Sequence, residues 1–243
     1  MITLTHNIES FDSLAADRIV RQIINKPDSV IGLSTGRTTG AMHRILASRI
    51  VDEDIDVSRV TFFGLDEVTG VDPTFPGACV AMLKNELIDK IGYKDCDFLM
   101  LPTSSLDFAG SCREFADELK SRGGIDFLVL GLGENGHLGF NQPGSPFGCT
   151  ARVTDMDPAL YSRLCAESGR TGLRGATLGI KDIMHARHIL LVAKGANKTQ
   201  IAAQMLLGPV TEDLPASVLQ LHPSVEFLFD ADAAALIPDN SIC

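Results

Sequence analysis

Apolar residues along this chain follow two alternating periods. Short runs rich in β-branched and aliphatic residues predict strands at Val30–Leu33, Val60–Phe63, Phe98–Leu101, Asp126–Leu130, His188–Val192 and Val225–Phe229. Between them lie segments of helical spacing. Phe11, Leu14, Ala15, Ile19 and Ile23 share one helix face, and Lys26-Pro27-Asp28 stops that helix. Met42, Ile45, Leu46 and Ile50 mark a second helix, with others predicted around Ala78–Ile88, Phe108–Lys120 and Lys198–Leu206. Strand and helix alternating in this way is the pattern of βαβ units, so the expected class is α/β, with an open, mainly parallel sheet and helices on both faces. The run 126–130 belongs in the middle of that sheet, buried on both sides. From 141 to 175 the periodicity fails, with Gly, Pro, Ser and Thr scattered through it, and an irregular functional loop or lid is expected there. The length, 243 residues, suits one domain spanning 1–243.

Charge narrows the partners. Lys and Arg number 21 against 31 Asp and Glu, a net charge of −10 without any basic cluster, so neither nucleic acid nor an anionic membrane is an expected partner. An anionic substrate would need a local pocket of amides and cations to overcome that field. No apolar run reaches the roughly 18 residues of a membrane span, and Met1–His6 lacks the features of a signal peptide. Cys79, Cys96, Cys112, Cys149, Cys165 and Cys243 are scattered without metal-ligand spacing, which predicts reduced thiols in a cytoplasmic protein and no metal site.

In open parallel sheets ligands bind beyond the carboxyl ends of the strands, and three such places carry chemistry. Gly32-Leu-Ser-Thr-Gly-Arg-Thr-Thr-Gly40 runs from a strand into a helix. Gly36 permits a tight turn, and the hydroxyls of Ser34, Thr35 and Thr38 with the helix-start amides could cradle a phosphate, although the same residues suit an ordinary βα turn. It is neither a Walker A loop nor a dinucleotide fingerprint. Leu65-Asp66-Glu67 places two carboxylates straight after a strand, as a general base or as helix-capping charges. Gly131-Leu-Gly-Glu-Asn-Gly-His137-Leu-Gly-Phe-Asn-Gln-Pro-Gly144 surrounds one histidine with glycines, allowing close approach of a ligand to an imidazole that titrates near neutrality. His185, His188 and His222 read as surface or packing residues, and His6 and His43 carry no context.

Together with Thr177-Leu-Gly-Ile180, Gly195-Ala-Asn-Lys198 and Pro215-Ala-Ser-Val-Leu-Gln-Leu-His222, these segments resemble the glucosamine-6-phosphate deaminase/isomerase family, part of a wider group that includes 6-phosphogluconolactonases. Gly-His-Leu-Gly-Phe-Asn-x-Pro is similar to the deaminases rather than the lactonases. Glu134-Asn-Gly-His137 and Arg174-Gly-Ala-Thr-Leu-Gly179 look closest to members acting on galactosamine 6-phosphate. The resemblance implies a three-layer, Rossmann-like α/β fold and conversion of an amino-sugar 6-phosphate to a ketose 6-phosphate plus ammonia, without a cofactor. A homo-oligomer is compatible with it. It also implies roles: Asp66 moves the C2 proton to C1, His137 opens the sugar ring, and Ser34, Thr35, Gly36, Arg37, Thr38 and Lys198 bind the phosphate.

Three positions depart from the family pattern. Gln142 stands where a Glu usually lies between the Asn and Pro of the histidine loop, and Asn135 where many members carry Asp. A neutral amide holds a ring but does not stabilise an imidazolium, so His137 is expected to have a lower pKa than in a relative with Glu there. Arg37 replaces a small residue and adds a cation beside the phosphate loop. The alternatives are a related sugar-phosphate isomerase or lactonase-like hydrolase, and a non-catalytic sugar-phosphate sensor. Which of Arg152, Arg163, Arg170 and Arg174 reaches a phosphate is open at this level.

Overall fold

The computed structural model describes residues 1–5, 7–94 and 97–238; His6, Cys96 and Cys243 lie outside them. The elements in chain order are β1 (Ile2–Thr5), α1 (Ile8–Asn25), β2 (Val30–Leu33), α2 (Gly40–Asp52), β3 (Thr61–Gly64), β4 (Asp66–Thr69), α3 (Cys79–Leu83), α4 (Phe108–Ser121), β5 (Phe127–Gly131), β6 (Arg152–Thr154), α5 (Pro158–Ser168), β7 (Arg174–Thr177), α6 (Ile180–Ile183), β8 (His188–Ala193), α7 (Thr199–Leu207) and β9 (Val225–Asp230). Side-chain caps set several boundaries by satisfying the free amides of a helix start. Asn7 accepts from the Ser10 amide at 2.7 Å, and Asp107 from that of Gly110 at 2.8 Å.

The main sheet has six strands in the order β1-β9-β8-β5-β2-β3, and every neighbouring pair is parallel. Alternating strand side chains divide the core into two faces. Leu128, Leu130, Ile189, Leu191, Phe227 and Phe229 pack with Phe115 and Leu119 of α4 and Ile201 and Met205 of α7. Phe127, Val129, Leu190, Val192 and Leu228 pack with Phe11, Ile19 and Ile23 of α1 and Met42 and Leu46 of α2. The result is the expected helix–sheet–helix sandwich, with β5 in its interior. From β2 the chain goes to β3 on one side and later to β5 on the other, so the strand order reverses at the β2/β5 boundary. Parallel strands end on one edge, and a reversal there opens a crevice between the diverging loops.

A second, antiparallel sheet, β4-β7-β6, stands beside that edge. Leu65 is the crossing point: its N–H donates to Leu33 of the first sheet at 2.9 Å, and its carbonyl accepts at 3.2 Å from Leu178, the residue directly after β7 of the second. Asp66 and Glu67, expected simply to follow a strand, therefore open a new strand.

Three further expectations change. Residues 98–101 form one bridge, Phe63 to Leu99, rather than a strand, because they lie outside the edge strand β3 and Pro102, which has no N–H, follows. The helix expected over 78–88 divides into α3 and a π-helical turn, Lys84–Ile88. The stretch 141–175 is not irregular throughout: it holds β6, α5 and the first half of β7. Their strands are too short for period-two patterning. The helix, however, has local signals: Asp157 caps the amides of Ala159 and Leu160, Pro158 occupies the first turn, and Gly169 ends the helix at φ 67°. The edge strand β1, pairing with β9, was not expected.

Leu128 is fully buried in β5. Leu128→Ala is expected to lower stability by about 2–5 kcal/mol through lost burial and a residual cavity, measured by urea unfolding with an unchanged far-UV spectrum at zero denaturant.

Candidate active site

The loop after β2 is built to leave donors free. Gly36, at φ 134°, turns the chain where a side chain is disfavoured, and its carbonyl accepts from the amides of Thr39 and Gly40 at 3.3 and 3.2 Å. Among the described residues, the N–H groups of Gly36, Arg37 and Thr38 donate to no protein acceptor. They stand immediately before α2, whose dipole favours an anion there. Ser34 is buried, and its hydroxyl accepts from the Gly131 amide at 3.1 Å, joining the β2 loop to the start of the histidine loop across the strand-order reversal.

Asp66 and Glu67, although adjacent, are in different situations because successive strand side chains point to opposite faces. Glu67 accepts from the amides of Val68, Cys79 and Val80 at 2.6, 2.8 and 2.8 Å, capping α3. Burial pushes its carboxyl upward against the pull of these donors. Asp66 has a weaker partner, the Cys79 thiol, 3.6 Å from Oδ1. Burial raises its pKa from 3.8 to about 7, opposed by that thiol. Cys79 Sγ in turn accepts from the Thr35 hydroxyl at 3.2 Å, so a chain of contacts runs from the phosphate-type loop to the Asp66 carboxyl. Gly139 provides the approach. Its φ is 57°, and a Cβ there would lie 2.7 Å from Thr177 Oγ1 and 3.2 Å from Asp66 Oδ2.

The histidine loop orients its ring through amides. The backbone N–H of His137, which can only donate, points at Asn135 Oδ1 at 3.2 Å and so identifies that atom as the amide oxygen. His137 Nδ1 lies 2.7 Å from the same oxygen and must therefore carry a proton. Asn135 Nδ2 donates to Gln142 Oε1 at 2.9 Å. The chain of donors leaves Nε2 of neutral His137 as the free lone pair. Gln142 thus acts on the ring through Asn135, not directly. Burial and the nearby Lys198 charge push the His137 pKa below the usual imidazole range, with Asp157 and Glu134 opposing.

Lys198 ends a 3₁₀ turn (Ala196–Lys198) that follows β8. That turn is anchored at Gly195, whose amide donates to Asp230 at 2.9 Å. Lys198 is only 8 % exposed. Burial is the main cause of its lowered pKa, with Glu134 raising it and Arg37 lowering it, and no side-chain acceptor among the described residues takes part. A half-dry ammonium of this kind suits an anionic ligand.

The predicted residues thus gather along one edge: Ser34 to Thr38 from β2, Asp66 beyond β3, Asn135, His137 and Gln142 beyond β5, and Lys198 beyond β8. Of the arginines of 152–174, Arg152 stays at the histidine loop, lining one cavity with Asn135 and Gln142, while Arg163 and Arg174 pair with acidic side chains. Arg152 bonds Asn141 Oδ1 at 2.7 Å and Ser145 Oγ at 3.1 Å, Arg163 pairs with Glu167, and Arg174 with Asp155. Sequence reading missed Cys79, Gly139 and Glu134 as parts of this site. Cys79 follows Asp66 by thirteen positions within no motif, and only folding brings the thiol to the carboxylate. His43, read without context, is fully buried with Nδ1 2.9 Å from Glu86.

A family model described as glucosamine-6-phosphate isomerases/6-phosphogluconolactonase matches residues 5–227. A glucosamine-6-phosphate deaminase of Geobacillus sp. (strain WCH70) is 35 % identical over 96 % of this chain and 94 % of its own. One of Thermoanaerobacter pseudethanolicus is 32 % identical over 99 % and 96 %. Among solved structures, a monomeric glucosamine-6-phosphate deaminase superposes with a TM-score of 0.91 at 28 % identity, covering 97 % of this chain and 99 % of that one. The 6-phosphogluconolactonase of Leishmania guyanensis, at 0.79 and 18 % identity, covers 98 % of each and shares the fold.

The raised Asp66 pKa links stability to pH. Folded Asp66 keeps a proton that the unfolded chain releases near pH 4, so its contribution is complete below that pH and is lost as pH rises through about 7. The loss is on the order of 4 kcal/mol at ~1.4 kcal/mol per pKa unit. Asp66→Asn is expected to reduce the fall in urea-unfolding stability between pH 5 and pH 8, a fall to which Glu67, raised by burial to about 7, also contributes. An identical fall in both proteins would refute an elevated Asp66 pKa.

Proposed function

The chain belongs to the glucosamine-6-phosphate isomerase/6-phosphogluconolactonase family, and from that premise we propose that it is an amino-sugar 6-phosphate deaminase, releasing ammonia and a ketose 6-phosphate. The deaminase names of its relatives support glucosamine 6-phosphate as a substrate, and the motif likeness noted above adds galactosamine 6-phosphate as a second candidate. The observation that carries the reading is the pairing of a dry carboxyl poised near pH 7 with an imidazole whose tautomer is set by amides, both beside a loop of free N–H groups.

The sugar phosphate binds with its phosphate on the amides of Gly36, Arg37 and Thr38, the hydroxyls of Ser34, Thr35 and Thr38, and the Lys198 ammonium. His137 Nε2 takes the proton of the anomeric hydroxyl and returns one to the ring oxygen, opening the ring. Its neutral, low-pKa state suits this exchange, because the imidazole can accept without first losing a proton. Asp66, ionised, then removes the C2 proton and delivers it to C1 through an enediol-like intermediate, here an enolamine. That leaves an imine at C2, and water hydrolyses it to the ketone and ammonia. A carboxylate with one weak partner is free to move a proton between adjacent carbons, as the triply bonded Glu67 is not. Free thiols at Cys79, Cys112, Cys149 and Cys165 suit a reducing cytoplasm.

An assay coupling ammonia release to ketose-phosphate formation is expected to give product from glucosamine 6-phosphate, with kcat/KM falling at acid pH through about 7 as Asp66 protonates. Asp66→Asn is expected to lower kcat by about 10²–10⁴-fold. The galacto epimer in parallel decides the C4 preference. Product without ammonia would indicate an isomerase or lactonase, and binding without turnover a sensor; either result overturns the deaminase reading. Gln142→Glu preserves the acceptor for Asn135 and adds a negative charge near the ring. It is expected to raise the His137 pKa in an NMR titration and to speed ring opening.

A further inference from the structure

Glu134 ties together the three loops that surround the phosphate-type cradle. Its Oε1 lies 3.5 Å from Arg37 Nη2 of the β2 loop and accepts from Asn197 Nδ2 of the β8 loop at 2.8 Å. Glu134 itself belongs to the β5 loop. The Lys198 ammonium lies close enough to sense both charges, Glu134 raising its pKa and Arg37 lowering it. A carboxylate is an unwelcome neighbour for a phosphate dianion, whereas a guanidinium is a fitting one, because its planar fork matches two phosphate oxygens. As the structure stands, the unfavourable group masks the favourable one.

The two bonds of Glu134 differ in kind. The pair with Arg37 is a single long contact between side chains 89 % and 59 % exposed, the sort of solvated pair that binds weakly. The bond to Asn197 is exposed as well but shorter, and Asn197 lies in the turn anchored by Gly195 on Asp230, so the difference lies in length and anchoring. Arg37 therefore loses little by leaving, while Glu134 stays held. Arg37 also directly follows Gly36 within the row of free amides, so its side chain originates at the cradle.

We propose that Arg37 is a phosphate-recognition residue held in reserve by Glu134: entry of a phosphate dianion draws the guanidinium off the carboxylate and onto the phosphate, while Asn197 keeps the carboxylate back. The proposal rests on the phosphate-binding assignment under the deaminase reading and adds to it a partner exchange. The exchange makes occupancy of the cradle depend on a full dianion, since a neutral or singly charged group competes less well for Arg37.

The test uses inorganic phosphate as the probe, titrated calorimetrically at low ionic strength, where screening is weakest. Arg37→Ala is expected to weaken binding by about five- to ten-fold, and Glu134→Gln to tighten it by about three-fold or more. In the double variant the gain from Glu134→Gln shrinks, since much of it comes from releasing Arg37. Both side chains are exposed, so unchanged melting temperatures serve as the folding control. If Arg37→Ala leaves the affinity within two-fold while Lys198→Ala lowers it, the exchange is wrong and the cradle stands. If Glu134→Gln weakens binding, the carboxylate braces the loops and the exchange is again wrong. A wild-type protein that binds no phosphate overturns the phosphate assignment and the exchange with it.

Discussion

A carboxyl group buried between two sheets, with a single thiol as its hydrogen-bonding side-chain partner among the described residues, is the constraint around which this molecule is arranged. Asp66 occupies that position because Leu65 bonds with its N–H to the parallel sheet and with its carbonyl to the antiparallel one. Moving either sheet would wet the seam and return the carboxyl to ordinary acidity. Around it, groups that would compete are neutralised locally: Glu67 is spent on the start of α3, and Gly139 leaves room beside Oδ2 where any side chain would intrude.

The histidine loop solves a related problem with uncharged groups. An imidazole working as acid and base needs a defined tautomer, and a carboxylate partner supplies one while also raising the pKa. Here Asn135 and Gln142 supply the orientation without the charge. On the proposed reading, the arrangement gives a base that remains neutral at lower pH, on the same sheet edge as a carboxyl that ionises only near neutrality. Under that reading both groups are in their working states on the alkaline side of Asp66's titration.

The acidity of the whole chain ceases to conflict with an anionic ligand once the strand ends are seen together. The net charge of −10 is a sum over the whole chain, and at physiological ionic strength charges beyond about 8 Å are largely screened. What would act on a phosphate in the proposed cradle is local: free amides at the start of α2, Lys198 and Arg37. The opposing charge that matters is Glu134, and it is occupied by Asn197 and Arg37.

The sequence by itself determined the α/β class, the central position of 126–130 and the loops after β2, β3 and β5, because hydrophobic period, glycine turns and capping residues act over a few positions. Asp157-Pro158 and Gly169 marked α5 in the same local way and were legible, though masked by the irregular composition around them. Tertiary structure alone decided which strands neighbour one another, and with that the meeting of Ser34 with Gly131, of Cys79 with Asp66, and of Glu134 with Arg37 and Asn197. It also decided that Asp66 and Glu67, identical in kind and adjacent in the chain, differ in role. Burial and hydrogen bonding are properties of what surrounds a side chain in space, and the groups that surround these two come from segments far apart in the chain.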